Sequence, residues 1–278
     1  MVVKELKKWL KGTYLGFYYY FVRNVRKESY ANFGEDLVIK DIIDQIFHKK
    51  VCVDIGAGNG FEMSNTYLFF LNGYRGLALE VDSGDFRYLS SLYCRNCGNV
   101  SLAKLYITPE NVVDVLKTYN IPKDFGILSL DIDGYDYFVL EKIFGKFRPT
   151  LVCAEINEKV PPPLKFAVKW ERNYVWAEDH FYGQSLSKLY DLCEKFDYDL
   201  VKLNYNNAIL ISKEKNTKFK SLNPSEAYGR GYKFQKDRKE KFPWNEDMEK
   251  LLSMNSKDAI DFINKKFKKY RGKYILGV

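Results

Sequence analysis

From residue 51 onward two hydrophobic patterns alternate along the chain. Short runs rich in Val, Ile and Leu predict strands at 51–55, 77–81, 100–106, 125–131, 150–156, 198–204 and 207–212. Between them apolar residues recur at helical spacing and predict helices at 61–72, 84–95, 110–119, 135–145 and 185–196. Strands and helices in strict alternation make a mostly parallel sheet covered on both faces. The last two strands, joined only through Tyr205 and Asn206, read as a hairpin at the sheet edge. Seven strands ending in a hairpin are therefore expected, in an α/β, Rossmann-like architecture.

The flanks read differently. Leu37, Ile39, Ile42, Ile43, Ile46 and Phe47 fall on one helical face, with Glu35 and Asp36 near the helix start, where acids suit the dipole. Residues 1–28 read as one or two helices with basic and aromatic faces. Two readings stay open for them: packing on the main domain, or resting on an anionic membrane as an interfacial helix. The division that follows is an N-terminal helical extension over 1–49, an α/β domain over 50–213 and a basic C-terminal extension over 214–278, with a helix near 246–270. Inside the α/β domain, 157–184 (Pro161-Pro162-Pro163, Trp170, Trp176, His180, Tyr182) follows the carboxyl end of a strand. Open α/β sheets bind ligands there, and an insertion this long reads as a substrate lid.

Charge sharpens that division. Residues 1–28 carry seven Lys/Arg against two acids and residues 213–278 carry eighteen against nine, so of the total of +8 the middle of the chain is left at −6. A basic partner surface, if present, belongs to the flanks. Cys52 and Cys153 fall in expected buried strands, and Cys94 and Cys97, though spaced as in redox or zinc sites, have no second pair or nearby His. This cysteine usage fits a reducing cytoplasm. The apolar run at 15–22 is too short to span a bilayer and is flanked by charge, so neither a membrane span nor a secretory signal is expected; the inner face of the membrane is reached only through the N-terminal helix.

The chemistry concentrates at strand ends. Val51, Val53 and Ile55 carry Asp54 into Gly56, Gly58 and Gly60, a buried strand turning sharply toward a helix with glycines where a cofactor approaches the backbone. The run GLALEVD then ends in Glu80 and Asp82, where an acid usually holds a nucleotide ribose. The spacing is G-x-G-x-G and not the dinucleotide G-x-G-x-x-G, and Asp54 and Glu62 flank the loop where the amino acid end of S-adenosylmethionine (SAM) would lie. At the fourth strand, LDIDGYD clusters Asp131, Asp133 and Asp136, without the length or closing Glu of an EF-hand. At the fifth, Glu155 and Asn157 stand two apart and hence on one face. Asp131, Glu155 and Asn157 are hard oxygen donors that either hold Mg²⁺ or orient an acceptor hydroxyl. Methyl transfer also needs a group to take the acceptor's proton, and His180, Asp131 and Asp133 compete for that part.

The segments SYANFGEDLVIKDIID, VDIGAGNGFEMSNTYLFFLNGYRGLALEVD, ITPENVVDVL, PKDFGILSLDIDGYDYFVL, RPTLVCAEIN and FYGQSLSKLYDLCEKFDYDLV, spanning about 29–212, together resemble the FkbM-type class I SAM-dependent methyltransferases. The resemblance implies that Asp54, Gly56, Ala57, Gly58 and Asn59 line SAM, that Glu80 beside Val81 holds the ribose, that Ile107 and Thr108 lie by the adenine, and that Asp131 looks toward the methyl group. Asp131, Glu155 and Asn157 are similar to the metal ligands of catechol O-methyltransferases, although here Ile156 separates Glu155 from Asn157. The implied activity is O-methylation of a sugar, a surface-polysaccharide modification or a small metabolite. Two alternatives are weighed against it. A nucleic-acid methyltransferase would use the basic flanks, but the base-stacking aromatic–proline tetrapeptide expected after the fourth strand is replaced by DIDG. A nucleotide-sugar oxidoreductase or epimerase would need the dinucleotide glycine pattern and a Tyr-x-x-x-Lys pair, and neither stands in the expected place.

Overall fold

The computed structural model describes residues 27–278, so all but the last two residues of the helices expected over 1–28 lie outside the described residues. Helix α1 (Glu35–Ile43) leads into β1 (Val51–Ile55), and the chain continues through α2 (Tyr67–Leu71), β2 (Arg75–Glu80), α3 (Ser83–Asn96), β3 (Val100–Lys104), α4 (Val112–Thr118), β4 (Ile127–Leu130), α5 (Asp136–Phe144) and β5 (Leu151–Glu155). After β6 (Lys165–Val168) and α6 (Leu186–Lys195), the hairpin β7 (Tyr198–Asn204) and β8 (Asn207–Ser212) completes a seven-stranded sheet in the order β3-β2-β1-β4-β5-β8-β7. Strands β1 to β5 pair in parallel, and β8 runs antiparallel to both β5 and β7. This is the Rossmann-like methyltransferase arrangement, with its hairpin edge as expected.

Side-chain alternation along each strand divides the core in two. Val51, Val53, Ile55, Val152, Ala154, Ala208 and Leu210 face a layer with Leu116 of α4, Val139 and Ile143 of α5, and Leu189 of α6. Cys52, Leu151, Cys153, Ile209 and Ile211 face the opposite layer with Ile39 and Ile43 of α1, Phe70 of α2, and Leu89 and Tyr93 of α3. Every position of β1, β4, β5 and β8 is therefore buried, which is why those runs are apolar apart from Asp54, Ser129, Glu155, Asn207 and Ser212.

Two expectations are corrected. The helix expected over 61–72 is only the turn and a half of α2. Ahead of it Met63 takes φ +58°, and the Ser64 hydroxyl accepts the amides of Thr66 and Tyr67, so local side-chain bonds displace the helical ladder. The second correction concerns the insertion. After β8 come α7 (Pro224–Tyr228), α8 (Arg238–Lys241), a 3₁₀ segment (Pro243–Ser253), α9 (Ser256–Lys266) and β9 (Tyr274–Gly277). Strand β9 pairs antiparallel with β6, inside the stretch expected to be a structureless lid. Around this small sheet Val160, Leu164, Phe166 and Phe181 share a third core with Met248, Leu251, Ile263 and Phe267. The insertion is thus held by residues 248–277 of the C-terminal extension.

Candidate active site

The carboxyl ends of β1, β2 and β4 surround a first cavity of about 700 Å³, within the range of about 300–1,000 Å³ usual for small-molecule and cofactor sites. The loop after β1 forms its floor. The amides of Gly56 and Ala57 donate to the Leu79 carbonyl (3.0 and 2.9 Å), which pins the loop to the end of β2. The Glu80 carboxylate tightens the same join, accepting the amide of Gly58 at 2.7 Å and those of Val81 and Asp82 at 2.7 and 2.6 Å. Gly56 has φ +88°, and a Cβ there would stand 1.7 Å from the Asp131 carbonyl oxygen, so only glycine lets β1 and β4 come this close. Asp54 accepts a hydrogen bond from the Thr66 hydroxyl at 2.6 Å. Burial, reinforced by the Glu80 charge against the opposing Thr66 bond, pushes its carboxyl up to about 7.

Of the residues expected along the cofactor, Asp54, Gly56, Ala57, Gly58, Glu80, Val81, Ile107 and Asp131 line this cavity. Asn59 and Thr108 do not. Asn59 folds its own turn, accepting the amides of Phe61 and Glu62 and donating to the Glu62 carboxylate at 2.7 Å. The Thr108 hydroxyl accepts the amides of Glu110 and Asn111 just ahead of α4. Both are Asx- or Ser/Thr-type turn residues whose polar atoms the local backbone consumes. The wall beside Ile107 is aromatic. The Tyr135 hydroxyl donates to the Ile107 carbonyl (2.7 Å), Tyr106 donates to the Tyr174 carbonyl (2.8 Å), and Trp170 packs edge-on against Tyr135 at 4.4 Å.

A second cavity, of about 870 Å³, adjoins the first. Met63, Asn65, Asp131, Asp133 and Trp176 line both, so the two meet at the end of β4. Asp133 has φ +51°, and among the described residues four of the seven non-glycine positions with positive φ (Met63, Asp133, Asn173 and Glu178) line these cavities. The Asp136 carboxylate holds the turn by accepting the amides of Ile132 (3.0 Å) and Gly134 (2.9 Å). Beyond the junction stand Glu155, which accepts the Asn206 amide at 2.8 Å, and Lys159, which is paired at 3.1 Å with the fully buried Glu158 and donates to the Tyr182 hydroxyl.

Asp131, Asp133 and Glu155 each offer one carboxylate oxygen, and the three oxygens lie within 4.8 Å of one another. Burial, then the neighbouring Asp136 charge, pushes Asp131 up to about 7; burial, then Asp131, pushes Asp133 up to about 8; Glu155 is driven well above the ordinary range by burial and the same carboxylates. Asn157 does not join them. β5 ends at Glu155, so the two-residue alternation that put Glu155 and Asn157 on one face stops before Asn157. Its amide nitrogen instead donates to the carbonyls of His180 and Tyr182 (2.9 Å each), and it lines neither cavity. Asn157, expected beside Asp131 and Glu155, therefore stands apart from them, and Asp133 is the residue that lies there instead. His180 lines only the second cavity, where its Nε2 meets Asp247 at 2.9 Å; burial, helped by Lys159, holds the imidazole below its ordinary pKa.

Sequence reasoning missed several residues of this second cavity. Glu35, assigned above to the helix dipole, is fully buried against it, and Phe242, Trp244, Lys266, Phe267, Lys269 and Tyr270 of the C-terminal extension form its outer wall. No local pattern marks them, because they meet only through contacts between distant elements, such as β9 with β6 and Asn207 with Glu35.

Among solved structures, the chain is similar to an S-adenosylmethionine-dependent methyltransferase from Clostridium acetobutylicum (8% identity over 71% of this chain and 98% of that one, TM-score 0.41). It is also similar to a SAM-dependent methyltransferase from Aquifex aeolicus (14%, 65% and 90%, TM-score 0.38) and an rRNA methylase from Streptococcus thermophilus (10%, 63% and 94%, TM-score 0.36). No protein-family model and no curated protein matches the chain. The fold assignment rests on the strand order itself. Among the described residues no helix is long and apolar enough to cross a membrane.

Proposed function

We propose that the protein is a SAM-dependent O-methyltransferase acting on a hydroxyl of a sugar, a surface-polysaccharide modification or a related small metabolite. The observation that carries this reading is the junction of the two cavities at Asp131 and Asp133. SAM held over the glycine loop presents its methyl group there, and an acceptor in the second cavity presents its oxygen from the other side. The acceptor oxygen forms the new C–O bond as the C–S bond of the sulfonium breaks, leaving neutral S-adenosylhomocysteine, and a carboxylate at the junction takes the hydroxyl proton. Asp131 and Asp133 are better placed for that than His180, which does not reach the first cavity. Carboxyl groups, the amides of Asn32, Asn206 and Asn207, and the rings of Trp176 and Trp244 suit a polyhydroxylated acceptor.

Calorimetric titration with SAM and with NAD tests the cofactor; NAD binding without SAM binding overturns the reading. Asp131→Ala is expected to abolish transfer of labelled methyl to the acceptor while leaving SAM binding largely intact, and a fully active variant would remove Asp131 from the mechanism.

A further inference from the structure

Lys265, Lys266, Lys268, Lys269, Arg271 and Lys273 fall within nine consecutive residues, all six exposed and with no acid among them. The first two lie in the last turn of α9, where basic side chains offset the helix dipole; the other four follow the helix end, and the dipole does not account for them. Three of the six are paired: Lys266 with Asp247, Lys269 with Asp179 at 2.8 Å and Lys273 with Glu171 at 2.7 Å. Lys265, Lys268 and Arg271 have no acidic partner within ion-pair distance among the described residues. Their charge sits on a fixed frame. Phe267 is buried in the third core, the Tyr270 ring stacks on Phe181 at 3.8 Å, and the Tyr270 hydroxyl donates to Asp179 at 2.6 Å.

This basic run forms one rim of the second cavity, which Lys266, Phe267, Lys269 and Tyr270 line together with Trp244. Trp244 is 56% exposed, and its one ring contact among the described residues is with Phe242 at 5.5 Å. An indole left open at a cavity mouth is a flat apolar platform with a hydrogen-bond donor at its edge. The C–H-lined face of a sugar ring packs on such a surface. Deeper in, burial pushes the Asp131 and Asp133 carboxyls up to about 7 and about 8, so near neutral pH the floor carries less negative charge than its acids suggest. An acceptor can therefore be anionic along the rim while presenting a neutral hydroxyl at the junction of the two cavities.

We propose that the acceptor is an anionic glycan: a sugar of the chain stacks on Trp244, and its carboxylate or sulfate groups lie along Lys265, Lys268 and Arg271. This deepens the methyltransferase reading and rests on it for the hydroxyl that is methylated. The unpaired cations draw the chain toward the cavity mouth, and the planar Arg271 guanidinium suits a carboxylate or sulfate through two parallel hydrogen bonds. A membrane surface or a nucleic-acid duplex meets the same charges from outside without entering the cavity, so Trp244 distinguishes those partners from a glycan seated in it.

The full chain, without SAM, is titrated with end-labelled hexasaccharides of heparin (sulfate and carboxylate) and hyaluronan (carboxylate alone), and with neutral maltohexaose. Anisotropy reads binding, and acrylamide quenching reads tryptophan exposure. An anionic chain is expected to bind about tenfold or more tighter than maltohexaose, to lose affinity as salt rises, and to shield tryptophan in a way that Trp244→Phe diminishes. Binding of both anionic chains assigns carboxylate recognition, and binding of heparin alone assigns sulfate. The triple variant Lys265→Glu, Lys268→Glu, Arg271→Glu is expected to weaken binding about tenfold or more. These side chains are exposed and unpaired, so the fold should survive, and melting curves check this. Trp244→Ala is expected to weaken binding while leaving its salt dependence unchanged. Equal affinity for neutral and anionic chains overturns the proposal, as does binding that the triple variant leaves unchanged or that leaves Trp244 as open to acrylamide as before. A single-stranded oligouridylate that binds more tightly and shields Trp244 would put nucleic acid in place of the glycan. SAM binding is measured separately: a chain that binds the glycan but not SAM refutes the methyltransferase reading and keeps the rim site.

Discussion

Gly56 and Gly58 sit two residues apart in one loop, both with positive φ, yet alanine should have quite different effects at the two positions. At Gly58 (φ +55°) a Cβ meets no atom within 4 Å, so the change introduces only the left-handed backbone strain of an L-residue, about 1–2 kcal/mol. At Gly56 (φ +88°) the same strain is joined by a Cβ 1.7 Å from the Asp131 carbonyl oxygen and 2.8 Å from its carbon. That oxygen is backbone and cannot swing aside, and the Asp131 amide is itself held to the Ile55 carbonyl at 3.0 Å. β1 and β4 must separate, which adds about 1–3 kcal/mol of overpacking, for a total of about 2–5 kcal/mol. Urea unfolding at constant slope measures both, and calorimetry with SAM reads the site in parallel. Gly56→Ala is expected to be less stable than Gly58→Ala by at least about 1 kcal/mol, and to displace Asp131 so that methyl transfer is lost even where folded protein remains. Equal midpoints for the two variants would show that the contact between the glycine loop and β4 is looser than described, and the reasoning would fail.

Three further outcomes follow from buried groups and from the C-terminal wall. Asp54 titrates near 7 when folded against 3.8 as its ordinary value, so its neutral form favours the fold. That contribution is complete below about pH 4 and is lost as pH rises through 7, amounting to about 4 kcal/mol at most. Urea midpoints should therefore fall from pH 5 to pH 8, and Asp54→Asn should make that fall shallower; an unchanged slope refutes the assignment. Lys159→Met leaves Glu158 buried without its cation, and a loss of about 3–5 kcal/mol is expected, much of it recovered in the double variant with Glu158→Gln. Deleting residues 274–278 removes the strand that pairs with β6, which should loosen the second cavity and impair transfer while SAM affinity stays near that of the whole chain; equal losses of both would mean the two cavities are not separately supported.

The parallel sheet, its hairpin edge and the glycine loop were legible in the residues because each depends on short-range rules. Val51, Val53 and Ile55 against Cys52 already assign the two faces of β1, and Gly56 and Gly58 mark where a side chain has no room or no allowed φ. Acids at strand ends, Glu80 and Asp131 among them, could be placed at the first cavity for the same reason, since the carboxyl edge of a parallel sheet gathers them whatever their sequence separation.

What local pattern could not supply was which of several polar residues turns inward and what closes the far side. Asn59 and Thr108 looked like cofactor contacts until the backbone amides that occupy them were visible, and Asn157 looked like a partner of Glu155 until β5 ended two residues earlier. Glu35 and the wall from Phe242 to Tyr270 reach the second cavity through pairings across more than a hundred residues, among them β6 with β9 and Asn207 with Glu35. Periodicity records which face of an element is buried; it carries no record of which distant element buries it. The lining of the first cavity is therefore largely written in the sequence, while that of the second is decided by tertiary packing.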